Sequence, residues 1–345
     1  MMRLPENEKS LIWIDHIQYA SSSVSVVMER IQELMQQNQS LKNKRNGYFA
    51  SLCRDMRKGY QNYLLMAPYL LFFAVFTVLP VLVAVIMSFT DFNMLQIPSF
   101  VGWNNYLRML LQDDIFLIAL KNTLIFALIT GPIGYLMCFL LAWMINDFQP
   151  KLRAVITVVF YAPALAGNAF IAWQYLFSSD QYGIINAFLM QMGVIDEAIG
   201  WLTDSRYIMG VLIVVQLWLS LGAGFLSFIA GLQGVDRSLY EAAAVDGIRN
   251  RFQELWYVTL PSMAPQLLFG AVMQIVSAFS VADVSIQLAG FPSSEYVGET
   301  IVTHILDYGN IRYELGYACA MAAFLFLLMY FSKRCVGFLL KNVGK

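Results

Sequence analysis

Residues 240–261 read YEAAAVDGIRNRFQELWYVTLP. Glu241, Asp246, Arg249, Arg251 and Glu254 crowd into this stretch, in a chain that is 59% hydrophobic and only 13% charged. A mean hydropathy of +0.59 over 345 residues places the chain among polytopic membrane proteins, not soluble domains. The charged stretch must therefore leave the membrane between apolar runs that cross it. Six such runs lie at about 63–89, 115–145, 155–177, 208–232, 267–289 and 316–331. Each is expected to be a helix, because lipid offers backbone groups no other partner. Pro80 predicts a kink in the first, and Pro163 and Gly167 interrupt the third. The sixth is short and can extend past its apolar centre in either direction.

Six spans put both termini on one side. Eighteen Lys and Arg residues fall on that side, nine of them in the first sixty residues, and four fall on the other: Arg108, Lys121, Arg206 and Arg312. The positive-inside rule then places both termini and the 240–261 stretch in the cytoplasm. The first sixty residues are largely polar, with no apolar core before a small-residue cleavage site, so no cleavable signal is expected. The chain divides into a cytoplasmic N-terminal segment, 1–61, and a transmembrane domain, 62–345. Val24, Val27, Ile31, Leu34 and Met35 lie at helical spacing, and an amphipathic helix or a loosely ordered tail both fit. The outer loops run roughly 90–114, 178–207 and 290–315, with Trp103, Tyr106, Trp201 and Tyr207 as interfacial anchors.

Several chemistries find no support. Cys53, Cys138, Cys319 and Cys335 form no CxxC pair, and His16 and His304 lie far apart and near no cysteine cluster. No GxxxxGK[ST] loop occurs, so the chain is not expected to hydrolyse ATP. No Ser-His-Asp or paired-carboxylate set marks an intramembrane enzyme.

Within the charged stretch, Ser238 and Glu241 have the spacing of a capping box, and Gly247 is placed to end a helix at positive φ. The helix so defined is about eight residues long and marginal alone, so it must pack on something. Ala242, Ala243 and Ala244 let another surface approach the backbone closely. A second helical piece, about 250–258, leads to Leu260-Pro261, where the proline is expected to stop it. A solvated loop and a docking element for a cytoplasmic partner both fit this hook.

EAAAVDG followed by VTLP resembles the signature loop of permease subunits in binding-protein-dependent ABC importers. Glu241, Ala242, Ala243, Gly247, Leu260 and Pro261 match it. The aliphatic position, Val258, falls one residue further from Gly247 than in the signature, and is Val instead of Ile. YLLMAP at 63–68, LP at 79–80, SFT at 88–90, GWNNY at 102–106, Asn122-Thr123 and Tyr161-Ala-Pro163 are similar to the carbohydrate, maltose-importer branch. The resemblance implies an all-α type I importer permease fold. It makes the loop a coupling helix, with Glu241, Ala242, Ala243, Asp246 and Gly247 contacting the ATPase subunit. It further implies a second homologous permease, two ATPase subunits that bind ATP and Mg, an extracytoplasmic binding protein, and the bacterial cytoplasmic membrane. No cofactor is expected in the chain itself, and no nucleic acid among its partners.

A solute path should be lined by polar groups within apolar spans. Asn168 and Trp173 in the third span, Gln216, Trp218 and Ser220 in the fourth, and Gln274, Ser277, Ser280 and Asp283 in the fifth are the candidates. Amides, hydroxyls and indoles suit a sugar's hydroxyls and apolar faces, and together with the resemblance to the maltose-importer branch the expected substrate is an oligosaccharide. Hydrogen bonding between helices is the competing role for each. Asp283 stands apart, because a buried acid is costly, unless it faces the outer vestibule. The alternative function is a self-sufficient secondary transporter or channel, with Asp283 as its ion-coupling group.

Overall fold

The computed structural model describes residues 60–166 and 170–340. The apolar-spaced residues 24–35 and Asn168 lie outside them. Residues up to Pro80 form one unit and residues from Val81 onward another. In the first, the helix Tyr60–Phe73 passes into a wide π turn at Ala74–Val78. Leu79 N–H reaches back five residues to the Ala74 carbonyl there. From Tyr63 onward its side chains are apolar on nearly every face, Thr77 excepted, as on a lipid-facing helix.

Helices are numbered in chain order. Among the described residues five helical stretches are individually long and apolar enough to span a membrane: Gln61–Met87 (α1), Asp114–Asn146 (α3), Ser205–Gln233, Ala264–Ala289 and Leu315–Leu339. The third expected span is a bent pair, Pro150–Leu165 (α4) and Phe170–Leu176 (α5). The fourth and fifth spans, expected to be continuous, are broken. The fourth divides at Ser220–Gly222 into Ser205–Leu219 (α7) and Ala223–Gln233 (α8). The fifth divides at Ser280–Ala282 into Ala264–Phe279 (α11) and Asp283–Ala289 (α12). The last helix, Leu315–Leu340 (α14), is longer than its apolar centre.

The segments between spans carry helices of their own: Asn104–Leu111 (α2), Ile184–Gln191 (α6) and Ile301–Leu306 (α13). Buried Asn186 organises the middle segment. It takes the Trp201 indole N–H on Oδ1 at 2.8 Å and donates to the Ser178, Asp180 and Ile199 carbonyls. Trp201 is thus pinned inside its loop by a buried hydrogen bond.

The long helix α3 is the spine of the second unit. At one end Phe139 and Ala142 pack with Phe225 and Phe228 of α8 and Leu267 of α11. In the middle Phe126 meets Leu212 and Val215 of α7 and Val284 of α12. At the other end Phe116 meets Met109, Ile301, Tyr317 and Met321. Gly134 lets α3 approach α11 closely, because a Cβ there would overlap the Gln274 amide. Small residues serve this purpose where helices pack without a hydrophobic drive.

Candidate functional site

The charged stretch folds as a helix, Arg237–Val245 (α9), a turn, and a second limb. The N-cap is Asp236, not Ser238: the Asp236 carboxylate accepts the Ser238 backbone N–H at 3.0 Å. That bond holds the Asp236 carboxyl below its usual range. Asp236 wins because an ionised acceptor at a helix N-terminus also meets the positive end of the dipole. Glu241 is thereby released from the expected capping box and stands exposed.

The C-terminus of α9 matches the expectation. Gly247 has φ +94°, where a β-carbon would be strained. The Ile248 N–H returns to the Ala243 carbonyl at 3.0 Å and the Gly247 N–H to that of Ala244 at 3.3 Å. This pair of bonds closes the helix as a Schellman motif. Ala243 is 7% exposed and turned into its own chain, while Ala242, Ala244 and Asp246 face outward. Val245 is 87% exposed, an apolar side chain at the rim of the turn.

The second limb starts at Arg251–Glu254 (α10), capped by Asn250, and widens into a π turn at Leu255–Thr259. Leu260 N–H bonds the Leu255 carbonyl, one residue further back than in an α-helix. A π turn is how a helix absorbs one added residue while keeping the next turn on the same face. This one lies in the stretch between Gly247 and Pro261, whose spacing exceeds the signature's by one residue. The limb does not stop at Pro261: Leu260–Ser262 remain helical, and the chain turns at Met263, whose ψ is 10°. Leu260 and Pro261 are half-buried, beside buried Val258. Tyr240 hydroxyl and Thr259 Oγ1, 2.9 Å apart, tie the two limbs together.

The polar residues of the spans divide into two groups. Gln216, Ser220 and Gln274 are buried and bonded between helices. Gln274 Nε2 donates to the Thr130 carbonyl at 3.1 Å, and Gln216 Nε2 to the Ser277 carbonyl at 3.2 Å and Oγ at 3.3 Å. The Ser220 hydroxyl bonds the Leu217 carbonyl, and its own carbonyl accepts the Cys138 thiol at 3.4 Å. In this conformation these residues knit α3, α7 and α11 together at mid-span. The second group is accessible. Trp173 and Trp218 meet edge to face, 5.3 Å between centroids, both half-buried. Ser280 and Asp283 flank the break in the fifth span and are exposed. The break ends the expected three-residue periodicity from Gln274 at Ser277. Being exposed, Asp283 loses the argument for a buried ion-coupling acid.

The search against family models found no match. The chain is 30% identical over 274 residues to the probable ABC transporter permease protein YesP of Bacillus subtilis, covering 78% of this chain and 87% of that one. It is 30% identical to the arabinooligosaccharides transport system permease protein AraP of Halalkalibacterium halodurans, covering 78% and 84%. It is 31% identical to the lactose transport system permease protein LacF of Rhizobium radiobacter, covering 68% and 78%. The chain belongs to the ABC transporter permeases. The permease also shares its fold with a chain in the crystal structure of a bacterial ABC transporter involved in the import of the acidic polysaccharide alginate. The TM-score is 0.66 at 23% identity, covering 85% of this chain and 99% of that one.

At the end of the permease remote from α9, a second polar cluster appears that the sequence reading did not assemble. Asp113 caps α3 through the Phe116 N–H at 2.9 Å. Its Oδ2 accepts the Tyr317 hydroxyl at 2.8 Å and lies 2.9 Å from His304 Nε2. Asn122 Nδ2 bonds the Tyr296 and Glu299 carbonyls, and Thr123 Oγ1 accepts the Ile301 N–H. Together these fasten α13 and the loop before it to α3 and α14. The signal for the cluster lay in an Asp next to a predicted helix start and a lone histidine, but nothing in their spacing joins them.

Proposed function

We propose that this permease is the membrane subunit of an ATP-driven importer for a carbohydrate, in the size class of an oligosaccharide. The observation that carries the coupling part is α9: a helix capped at both ends, seated through Ala243 on its own chain, presenting Glu241, Ala242, Ala244 and Asp246 outward. A small-residue face between two acids suits a groove on a soluble ATPase subunit. ATP and Mg bind in that subunit, and two copies serve this chain and a second, homologous permease. The substrate class is supported by the relatives, whose names specify arabinooligosaccharides and lactose. It is supported also by accessible Trp173, Trp218 and Ser280, which offer indole faces and a hydroxyl to a sugar. An extracytoplasmic binding protein delivers the sugar, as the periplasmic protein bound to alginate pentasaccharide accompanies the related transporter of known structure. The eighteen-to-four distribution of Lys and Arg supports a cytoplasmic side for α9 and both termini.

Purification of the tagged chain from its native membrane tests this reading. A stoichiometric ATPase and a second permease are expected in the complex, with ATP-dependent sugar uptake in vesicles only when the binding protein is added. Uptake driven by an ion gradient, from the chain alone, would contradict it.

A further inference from the structure

The coupling loop touches the bundle at a place its own helix does not reach. Arg251 opens the second limb and pairs with Asp147, the C-cap of α3. Its guanidinium also lies 4.8 Å from the ring centroid of Trp143, one turn earlier on α3. Phe252 adds a ring contact with the same Trp143, 5.6 Å between centroids. Beside this cluster lies a cavity of about 380 Å³, lined among others by Arg153, Arg237, Tyr240 and Thr259. The loop is thus open beside its hinge; Leu255 and Leu260 pack on the cluster that holds Phe139 and Ala142, and Arg251 with Phe252 makes its contacts to the end of α3.

We propose that Arg251, through Asp147 and Trp143, is the strut that makes α3 follow the coupling loop, and that it positions α3 without contacting ATP or sugar. This rests on the importer reading above. Three observations favour a mechanical over a stabilising role. The ion pair is half-exposed on both sides, 53% and 50%, and such pairs add little to folding stability. The guanidinium makes two directional contacts at once, a carboxylate and an aromatic ring, which fixes an orientation that one charge pair would not. And α3 is the helix that both broken spans lean on: Cys138 meets the Ser220 carbonyl at the break in the fourth, and the Thr130 carbonyl takes the Gln274 amide six residues before the break in the fifth. Asp147 and Gly134 are about 20 Å apart along α3, given its rise per residue. Displacement of the strut therefore reaches the junction of the two breaks through one rigid element.

The experiment uses the whole transporter, with its partner permease and ATPase subunits, solubilised in detergent. Cys53, Cys319 and Cys335 are replaced by alanine, and buried Cys138, which holds the Ser220 carbonyl, is kept. Spin labels are attached at Met144→Cys and Arg249→Cys, both exposed positions on the two sides of the strut. Their separation is measured by pulsed electron resonance, without nucleotide and after trapping with ATP and vanadate. In the otherwise unaltered transporter the separation stays the same in both states, because loop and helix move together. With Arg251→Ala the ATPase subunits remain bound, but trapping changes the separation. Stimulation of ATP hydrolysis by the binding protein falls about fivefold or more, the range of a typical coupling between sites. Arg251→Asp with Asp147→Arg restores both readouts only in part, because the swap keeps the ion pair but leaves the Trp143 ring without its guanidinium. Arg251→Lys restores them only in part, because a point charge does not stack on Trp143. The proposal is overturned if the separation changes on trapping in the unaltered transporter. It is overturned equally if Arg251→Ala leaves separation and stimulation as they were, or if it releases the ATPase. Failure of the importer reading is distinct: no ATPase would accompany the unaltered chain.

Discussion

His304 Nε2 and Asp113 Oδ2 stand 2.9 Å apart across 191 residues of sequence, both buried. An ionised carboxylate can only accept, so the imidazole donates. Burial pushes the Asp113 carboxyl up, but hydrogen bonds from His304, the Phe116 N–H and Tyr317, with the charge of His304, outweigh it and hold it at about 2. The pair closes the end of the bundle remote from α9, where α13 rests on α3 and α14.

This pair makes stability depend on pH. The folded value for Asp113 lies below its ordinary 3.8, so ionised Asp113 contributes stability above that pH. The contribution is lost as pH falls toward the folded value, between about pH 4 and pH 2. Glu299 is buried beside His304, and burial raises its carboxyl, so its contribution has the opposite sign. In a Glu299→Gln background, the detergent-solubilised permease is expected to lose stability through this window. Asp113→Asn should flatten the loss. A profile equally steep in Asp113→Asn would show that the acid limb arises elsewhere.

Asp113→Ala removes a cap and strands two buried donors. The expected cost is about 3 kcal/mol, as for breaking one side of a buried hydrogen-bonded pair. Thermal unfolding should show the loss, with Asp113→Asn losing less, because its amide oxygen still caps Phe116 although its NH2 no longer accepts from His304 and Tyr317. Equal loss in the two variants would place the weight on the oxygen facing His304 and Tyr317, not on the cap.

With Asp236 as the cap of α9, Glu241→Gln becomes a clean probe. It leaves helix stability unchanged, since Glu241 makes no capping bond. Asp236→Ala costs about 1 kcal/mol of local stability. If Glu241 meets the ATPase through its charge, Glu241→Gln lowers ATPase affinity while thermal stability holds. The measurement is ATPase retention on a tagged permease against unfolding temperature. Retention equal to that of the unaltered chain would remove Glu241 from the contact.

Orientation is tested by labelling. Tyr182→Cys, at an 83% exposed position, should react with a membrane-impermeant thiol reagent in intact cells. Ser238→Cys, also exposed, should react only after permeabilisation. The reverse pattern would turn the whole assignment of faces around.

Gln274, Ser220 and Gln216 show where the sequence was readable and where it was not. Their identity as the polar residues of the spans is plain from hydropathy. Their use is not, because a buried amide bonding a helix carbonyl and an amide lining a path have the same pattern. The breaks at Ser220–Gly222 and Ser280–Ala282 escape for a related reason: Leu221, Val281 and Ala282 keep the runs apolar, and hydropathy averages over the change in backbone. Gly247 was readable, because a turn after a short helix demands positive φ. Asp236 was not preferred over Ser238, because both are good caps two residues apart and only the backbone decides. Asp113 and His304 each stand out locally, but 191 residues separate them and nothing in the sequence joins them. The resemblance carried by EAAAVDG reached the family, and the π turn at Leu255–Thr259 lies in the stretch whose spacing departs from the signature.

The central claim is that the outward face of α9 is where an ATPase docks. Ala242→Trp and Ala243→Trp separate that face from its support. Ala242 is exposed, so the added bulk obstructs only a partner; Ala243 is buried, so bulk there strains the permease itself, typically by about 1–3 kcal/mol. The measurement is the amount of ATPase that co-purifies with each tagged variant from the membrane, set beside its unfolding temperature. The account predicts that Ala242→Trp loses the ATPase and unfolds at the unaltered temperature, whereas Ala243→Trp unfolds lower. An Ala242→Trp permease that keeps its full complement of ATPase would contradict it.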